Sequence, residues 1–296
     1  MSPTEYLVTL LAQNKLAEDS KEVEELRAHR AEVDSVICNA LSKCKPSIRY
    51  GGSKAKGTMV RVSYDLDLTC YIDCDDDGAG TTLEEIYKTV KKALVDNGYD
   101  VVEKTSAIRI RSGDVDFHVD VVPGRFFDNT KTDVWLHRTQ GDKSRLKTNL
   151  DVHIEHVKES GLQNAICLTK LWRDRYAMTE LRTFAIELLA IKLLDGLKNK
   201  DLPTQMREMF VQLKDRAQDV VIEDPANPSG NDLSDLLPFG VRASLQAAAT
   251  TALSAIDAGG WESVFGPLTI DDASRNAAVA RAVAASSTAT KPWCRS

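Results

Sequence analysis

No apolar run in this sequence is long enough to cross a bilayer. The opening Met1-Ser2-Pro3-Thr4-Glu5-Tyr6 lacks the basic, apolar and small-residue order of a secretory leader. Neither a membrane span nor a signal peptide is expected. Cysteine is sparse and scattered, at Cys38, Cys44, Cys70, Cys74, Cys167 and Cys294, with no paired Cys-x-x-Cys elements. That pattern fits free thiols in a reducing cytoplasm better than a disulfide frame or a zinc site. An excess of positive charge is also missing. The chain has 38 Lys and Arg against 44 Asp and Glu, a formal net charge of −6. This argues against bulk, sequence-independent binding of nucleic acid and leaves room only for a local basic groove. Internal repeats are absent. What is present is 296 residues, 43% hydrophobic and 28% charged. That is ordinary for a globular protein and enough chain for one large domain or two lobes.

Apolar spacing predicts helix over residues 4–44. Leu7, Leu10, Leu11 and Leu16 form one stripe, continued by Val23, Leu26, Val33, Val36, Ile37 and Leu41, with a cap at Asp19-Ser20 between two pieces. Strands are expected at 47–50, 66–73, 99–104, 106–111 and 114–122, and an amphipathic helix at 82–97. From about residue 150 the pattern is helical to the end, with Ala-rich helices at 240–257 and 270–285 and a mobile tail from Ser286. The fold class is therefore α+β: a mixed-sheet lobe with flanking helices, residues 1–145, then a helical lobe, residues 146–296.

Two segments carry chemistry. Gly51-Gly52-Ser53-Lys54-Ala55-Lys56-Gly57-Thr58 reads as a turn whose glycines let backbone N–H groups approach an anion. The strand Asp65-Leu66-Asp67-Leu68-Thr69-Cys70-Tyr71-Ile72 alternates. Its Leu66, Leu68, Cys70 and Ile72 suit a core, and Asp65 and Asp67 share the other face, roughly 6–7 Å apart at Cα. Hard oxygen ligands beside phosphate suit Mg²⁺. A further carboxylate comes from Asp114-Val115-Asp116-Phe117-His118-Val119-Asp120-Val121-Val122-Pro123. Asp116, His118 and Asp120 lie on one face there, with Asp120 near the strand end. Asp116 and His118 read as supporting or surface residues. The run Asp73–Asp77 reads as a solvated turn rather than a metal site. Arg109 and Arg111 share a strand face that could meet phosphate or simply be exposed.

Taken together, Gly52-Ser53, Lys56-Gly57-Thr58, Asp65-Leu66-Asp67-Leu68 and Val119-Asp120-Val121-Val122-Pro123 resemble the polymerase-β-like nucleotidyltransferases. Within them, the match is to the bacterial cGAS/DncV-like nucleotidyltransferases, relatives of cyclic GMP–AMP synthase and the oligoadenylate synthases. Later segments agree. Lys170 in Cys167-Leu168-Thr169-Lys170-Leu171-Trp172-Arg173 resembles the family's helical lysine. Phe184-Ala185-Ile186-Glu187-Leu188-Leu189 resembles its aromatic-x-x-Glu-Leu helix, and Asp224 through Asn231 its Asp-Pro-x-Asn-Pro loop, a stretch that composition alone reads as a connector. The resemblance covers about residues 45–232. Thr183 departs from the serine expected at its position.

The resemblance implies a polymerase-β-like palm and a second, helical lobe. It implies that Asp65, Asp67 and Asp120 bind two Mg²⁺ ions, with Mn²⁺ as the alternative, and are the catalytic residues. It also implies that Gly52, Ser53, Lys56, Thr58, Lys170 and Thr183 hold a nucleoside triphosphate, ATP or GTP. An acceptor hydroxyl then attacks the α-phosphate and pyrophosphate leaves. Enzymes of this kind close rings of two or three nucleotides, second messengers that switch on a separate effector in antiphage defence. A purine cyclic dinucleotide such as a cyclic GMP–AMP is the expected product, and the cytoplasm the expected compartment. The same-chemistry rival is a CCA-adding tRNA nucleotidyltransferase, whose relatives are longer and carry tRNA-binding domains; the acidic charge disfavours it. A nucleotide-transferring toxin is a further rival, and a catalytically inactive binding module on the same fold is the rival from another class.

Overall fold

The computed structural model describes residues 1–16, 19–62, 64–111 and 118–268. Two helices open the chain, α1 (Pro3–Asn14) and α2 (Lys21–Ala40). Ser20 caps α2 as expected, its hydroxyl accepting from the Val23 N–H at 3.4 Å. The two helical pieces expected over 4–44 are present, and they pack in different places. Tyr6, Leu7, Leu10 and Leu11 of α1 join the helical core, whereas Leu26, Val33 and Ile37 of α2 pack on the sheet.

Next come β1 (Ser47–Tyr50), a short helix α3 (Gly52–Lys56) where a plain turn was expected, and β2 (Leu66–Ile72). Helix α4 (Leu83–Asp96) follows. Thr82 and Glu85 form a reciprocal capping box at its start. Then come β3 (Asp100–Glu103), β4 (Ile108–Arg111), β5 (His118–Phe126), β6 (Val134–His137) and β7 (Arg145–Thr148). The sheet order is β1-β2-β5-β4-β3, with β6 on the far part of β5 and β7 beyond it. Strands β2 and β5 run parallel, which α4 permits by spanning the crossover; the other pairings are antiparallel.

Two sheet expectations are corrected. The strand read as 114–122 is described from His118 and continues to Phe126, past Pro123. Its β4 pairing ends at Val121 and its β6 pairing begins at Gly124. Pro123 falls between them, where its missing N–H breaks neither antiparallel ladder. Strands β6 and β7 had no sequence expectation. Asp116, Val115, Phe117, the helix read at 270–285 and the tail from Ser286 lie outside the described residues.

The alternation of β2 is realised. Leu66, Leu68, Cys70 and Ile72 are buried with α2 and α4. On the opposite face, Tyr71 packs edge-on against Phe126, ring centres 5.6 Å apart. Asp67 lies on that second face.

Helices α5 (Leu150–Ser160), α6 (Gln163–Arg175), α7 (Thr183–Leu193), α8 (Leu202–Arg216), α9 (Phe239–Gly259) and α10 (Trp261–Phe265) form the second core. Trp172 is its centre, fully buried and 4.9 Å from the Phe210 ring, which in turn meets Trp261 at 6.3 Å. Among the described residues no helix is long and apolar enough to cross a membrane.

Candidate active site

Register builds the acidic wall. Asp67 on β2 faces Asp120 on β5 across the parallel pair. Asp65 precedes β2, and its Oδ1 accepts from the His118 N–H at 3.3 Å. Helix α3 sits against this wall, because the Gly51 N–H donates to the Asp67 carbonyl at 2.8 Å. Gly52 has φ +50°, and a Cβ there would overlap the Asp67 carboxylate. Only glycine lets the turn come this close. Gly52, Ser53, Lys56, Asp65, Asp67, Thr183, Phe184 and Glu187 line one cavity of about 240 Å³.

Clustering like charges has an electrostatic cost. Burial, reinforced by the neighbouring Asp120 and Asp65 carboxylates, pushes Asp67 up from an ordinary 3.8 to about 7. A hard cation would relieve that repulsion, and carboxylate oxygens are the donors Mg²⁺ takes. The carboxylates of Asp65, Asp67 and Asp120 fit such an ion in their chemistry. Among the described residues, however, no three ligand groups are drawn together as a closed metal site. Asp120 is engaged elsewhere: Arg109 Nε and Nη2 donate to its two oxygens at 2.8 and 2.7 Å.

A buried charge network forms part of the cavity wall, at Lys56 and Glu187, and continues behind it to Thr58 and Lys170. Lys56 Nζ donates to Glu187 Oε2 at 2.6 Å, with the two side chains 9% and 2% exposed. Lys170 Nζ donates to Ser53 Oγ at 2.8 Å, to the Thr58 carbonyl at 2.9 Å and to Thr58 Oγ1 at 3.1 Å. It lies 3.7 Å from Glu187 Oε1, which also accepts from Thr58 Oγ1 at 3.3 Å. Burial pushes the Lys170 ammonium's pKa down, and Glu187 opposes that shift. The expected site residues therefore separate into two layers. Gly52, Ser53, Lys56 and Thr183 reach the cavity with Asp65 and Asp67. Thr58 and Lys170 stand behind it, and Lys170 touches the cavity through the Ser53 hydroxyl. Thr183 Oγ1 accepts from Arg173 Nη1 at 3.2 Å.

Sequence reasoning undervalued Arg109 and missed the ion pairing of Lys56 with Glu187. Nothing in one sequence gives the β4–β5 register, or a contact 131 residues apart. Arg111 is exposed and faces Asp100 at 3.7 Å. The Asp73–Asp77 turn is organised by cations. Arg125 donates to the carbonyls of Asp76, Gly80 and Thr81 and to the Asp77 carboxylate, and Lys131 pairs with Asp73. Residues Asp224–Asn231 tie β7 to the helical core. Asp224 is buried and accepts from Asn231 Nδ2 at 2.6 Å, while Asn231 also donates to the Lys147 carbonyl at 3.0 Å. His153, 3.4 Å from Asp224, meets the Phe184 ring edge-on at 5.2 Å.

Comparison with known proteins places this geometry. No protein-family model matches the chain. The cyclic AMP-AMP-AMP synthase of Escherichia coli (strain MS 115-1) is 28% identical over 210 residues, a match spanning 63% of this chain and 63% of that protein. The chain thus aligns with somewhat under two thirds of that relative's length. Among solved structures, E. coli MS115-1 CdnC with ATP superposes with a TM-score of 0.68 at 22% identity, over 89% of this chain and 98% of that one. The Bradyrhizobium diazoefficiens CD-NTase CdnG in complex with GTP gives 0.71 at 15% identity, over 97% and 100%. The Vibrio cholerae dinucleotide cyclase DncV gives 0.71 at 12% identity, over 88% and 94%. The fold of this chain is that of the bacterial cGAS/DncV-like nucleotidyltransferases.

Proposed function

We propose that this protein is a metal-dependent nucleotidyltransferase that joins purine nucleoside triphosphates into a cyclic oligonucleotide. One observation carries the reading: Asp65 and Asp67 share a cavity with the Gly52-Ser53 turn, whose serine is held from behind by the buried Lys170. The Gly52-Ser53 turn opens α3 beside this cavity, where its backbone N–H groups and the Ser53 hydroxyl would meet triphosphate oxygens. Lys170 fixes that hydroxyl and adds positive potential behind it. Asp65, Asp67 and Asp120 are the residues that would hold Mg²⁺, which, when bound, would lower an acceptor hydroxyl's pKa and neutralise departing pyrophosphate. The acceptor hydroxyl releases its proton to solvent as its oxygen bonds to the α-phosphorus, the bond from that phosphorus to the bridging oxygen breaks, and pyrophosphate leaves. A second transfer in the same pocket closes the ring. The E. coli relative is named for a three-adenylate product, so this reading allows rings of two or three, with a cyclic GMP–AMP as the dinucleotide form. Its role is to make a second messenger for a separate effector in antiphage defence.

The test is incubation of the pure protein with α-labelled ATP and GTP and Mg²⁺, followed by phosphatase. A small phosphatase-resistant product is expected, with a mass that reports ring size. Asp65→Asn with Asp67→Asn should lower its formation at least a thousandfold without unfolding the chain, since Leu66 and Leu68 keep the core contacts. Turnover surviving in that double variant would refute the assignment. In a parallel incubation with tRNA, CTP and ATP, label appearing on the tRNA would favour the CCA-adding rival, and a protein inert in both would favour the binding module.

A further inference from the structure

Three adjacent strands put three charges in a row. Asp67 faces Asp120 across β2 and β5, and Asp120 faces Arg109 across β5 and β4. Arg109 grips both oxygens of Asp120, and its Nη2 also lies 3.9 Å from Asp65 Oδ2. A single guanidinium therefore stands against two of the three carboxylates. The Arg109 and Asp120 side chains are 24% and 14% exposed, so water screens the pair only in part. A two-point fork fixes the plane of the carboxylate and engages both its oxygens. Arginine does not give up its proton in proteins, so this cation is permanent.

We propose that Arg109 is a positioning residue that holds Asp120 in the metal-free protein and competes with a divalent cation for that carboxylate. The cation then loads weakly until the negative charge of a bound triphosphate draws it in. The site is thereby kept ordered before substrate arrives, and its loading is tied to substrate. This inference rests on the metal-dependent reading above.

The experiment is Mn²⁺ titration of the full chain without nucleotide, with free Mn²⁺ counted by electron paramagnetic resonance. The proteins compared are wild type, Arg109→Gln, Arg109→Lys, Asp120→Asn, Arg109→Gln/Asp120→Asn and Asp65→Asn/Asp67→Asn. Arg109→Gln should bind Mn²⁺ about tenfold more tightly than wild type, the size expected for removing a unit charge a few ångström away in a partly screened site. Arg109→Lys, a cation without the fork, should fall between. The Arg109→Gln/Asp120→Asn protein should return to the affinity of Asp120→Asn, because the gain acts through that carboxylate. A merely structural ion pair gives the opposite sign: losing it disorders Asp120, and Arg109→Gln then binds Mn²⁺ no better than wild type, which overturns the inference. If Arg109→Gln fails to fold, Arg109→Lys decides in the same way, with tighter binding in support and unchanged or weaker binding against. Mn²⁺ binding that vanishes in Asp65→Asn/Asp67→Asn but is not raised at Arg109 defeats this inference alone. No Mn²⁺ binding by any of the proteins defeats the metal-dependent reading and this inference with it.

Discussion

Asp67 shows what burial among other carboxylates costs the folded chain. Its folded value near 7 lies well above the ordinary 3.8. Between those values the folded chain binds a proton that the unfolded chain has released. The stability contributed by that proton is present at low pH and is lost as pH rises through about 7. With EDTA present, the melting temperature of the wild type should therefore fall from pH 6 to pH 8 by more than that of Asp67→Asn. At pH 8 the asparagine variant should be the more stable protein by several degrees, since about 1 kcal/mol moves the midpoint by ~2–4 °C at this size. Differential scanning calorimetry of the two proteins across that range checks this. Parallel pH curves would show that the carboxylate is not held in an unfavourable place. Mg²⁺ with a non-hydrolysable triphosphate should reverse the order, because only the wild type can use the charge.

At the scale of elements, the short helix α3 depends on two glycines with different reasons for being there. Gly52 has φ +50° and faces the Asp67 carboxylate, whereas Gly57 has φ +71° and open space around it. Gly57→Ala should cost about 1–2 kcal/mol of backbone strain and little binding. Gly52→Ala must also displace Asp67, and so should weaken binding of a non-hydrolysable triphosphate with Mg²⁺ at least tenfold. Calorimetry on the two variants separates the cases, and equal losses would mean that close approach to Asp67 is unimportant. These elements differ in how far one sequence reveals them. The Gly-Ser turn and the β2 alternation are local patterns, and local sterics and solvation decide them. So is the Ser20 cap. The row Asp67-Asp120-Arg109 depends on strand register, which long-range packing sets and no local pattern encodes. Strands β6 and β7 owe their existence to the open edge of β5 beyond Val121 rather than to their own four residues.

Across the whole molecule, the helical core is made from both ends of the described chain. Helix α1 lies in it, and the Tyr6 hydroxyl donates to the Gly266 carbonyl at 2.6 Å. The sheet core is a separate cluster. Between them, the Gly52-Ser53 turn and α3 are tied to α6 and α7 by Glu187, which meets Lys56, Thr58 and Lys170. Removing this one carboxylate leaves two buried ammonium groups without a counter-charge, and breaking a buried pair in this way costs about 3–5 kcal/mol. Glu187→Ala should show that loss in urea unfolding, and Glu187→Gln, which retains an acceptor for Lys56, should lose less. The distribution of the loss is the sharper test. Hydrogen exchange in the wild type should show the amides of α3 and α7 opening together with the cores they join. In Glu187→Ala, α3 and the start of α7 should exchange early while the centre of α8 stays protected, because the damage lies at the seam and not in the Trp172–Phe210 packing. Uniform loss of protection across α3, α7 and α8 would mean that Glu187 supports the helical core as a whole and is not a local link between the sheet-side turn and the helices.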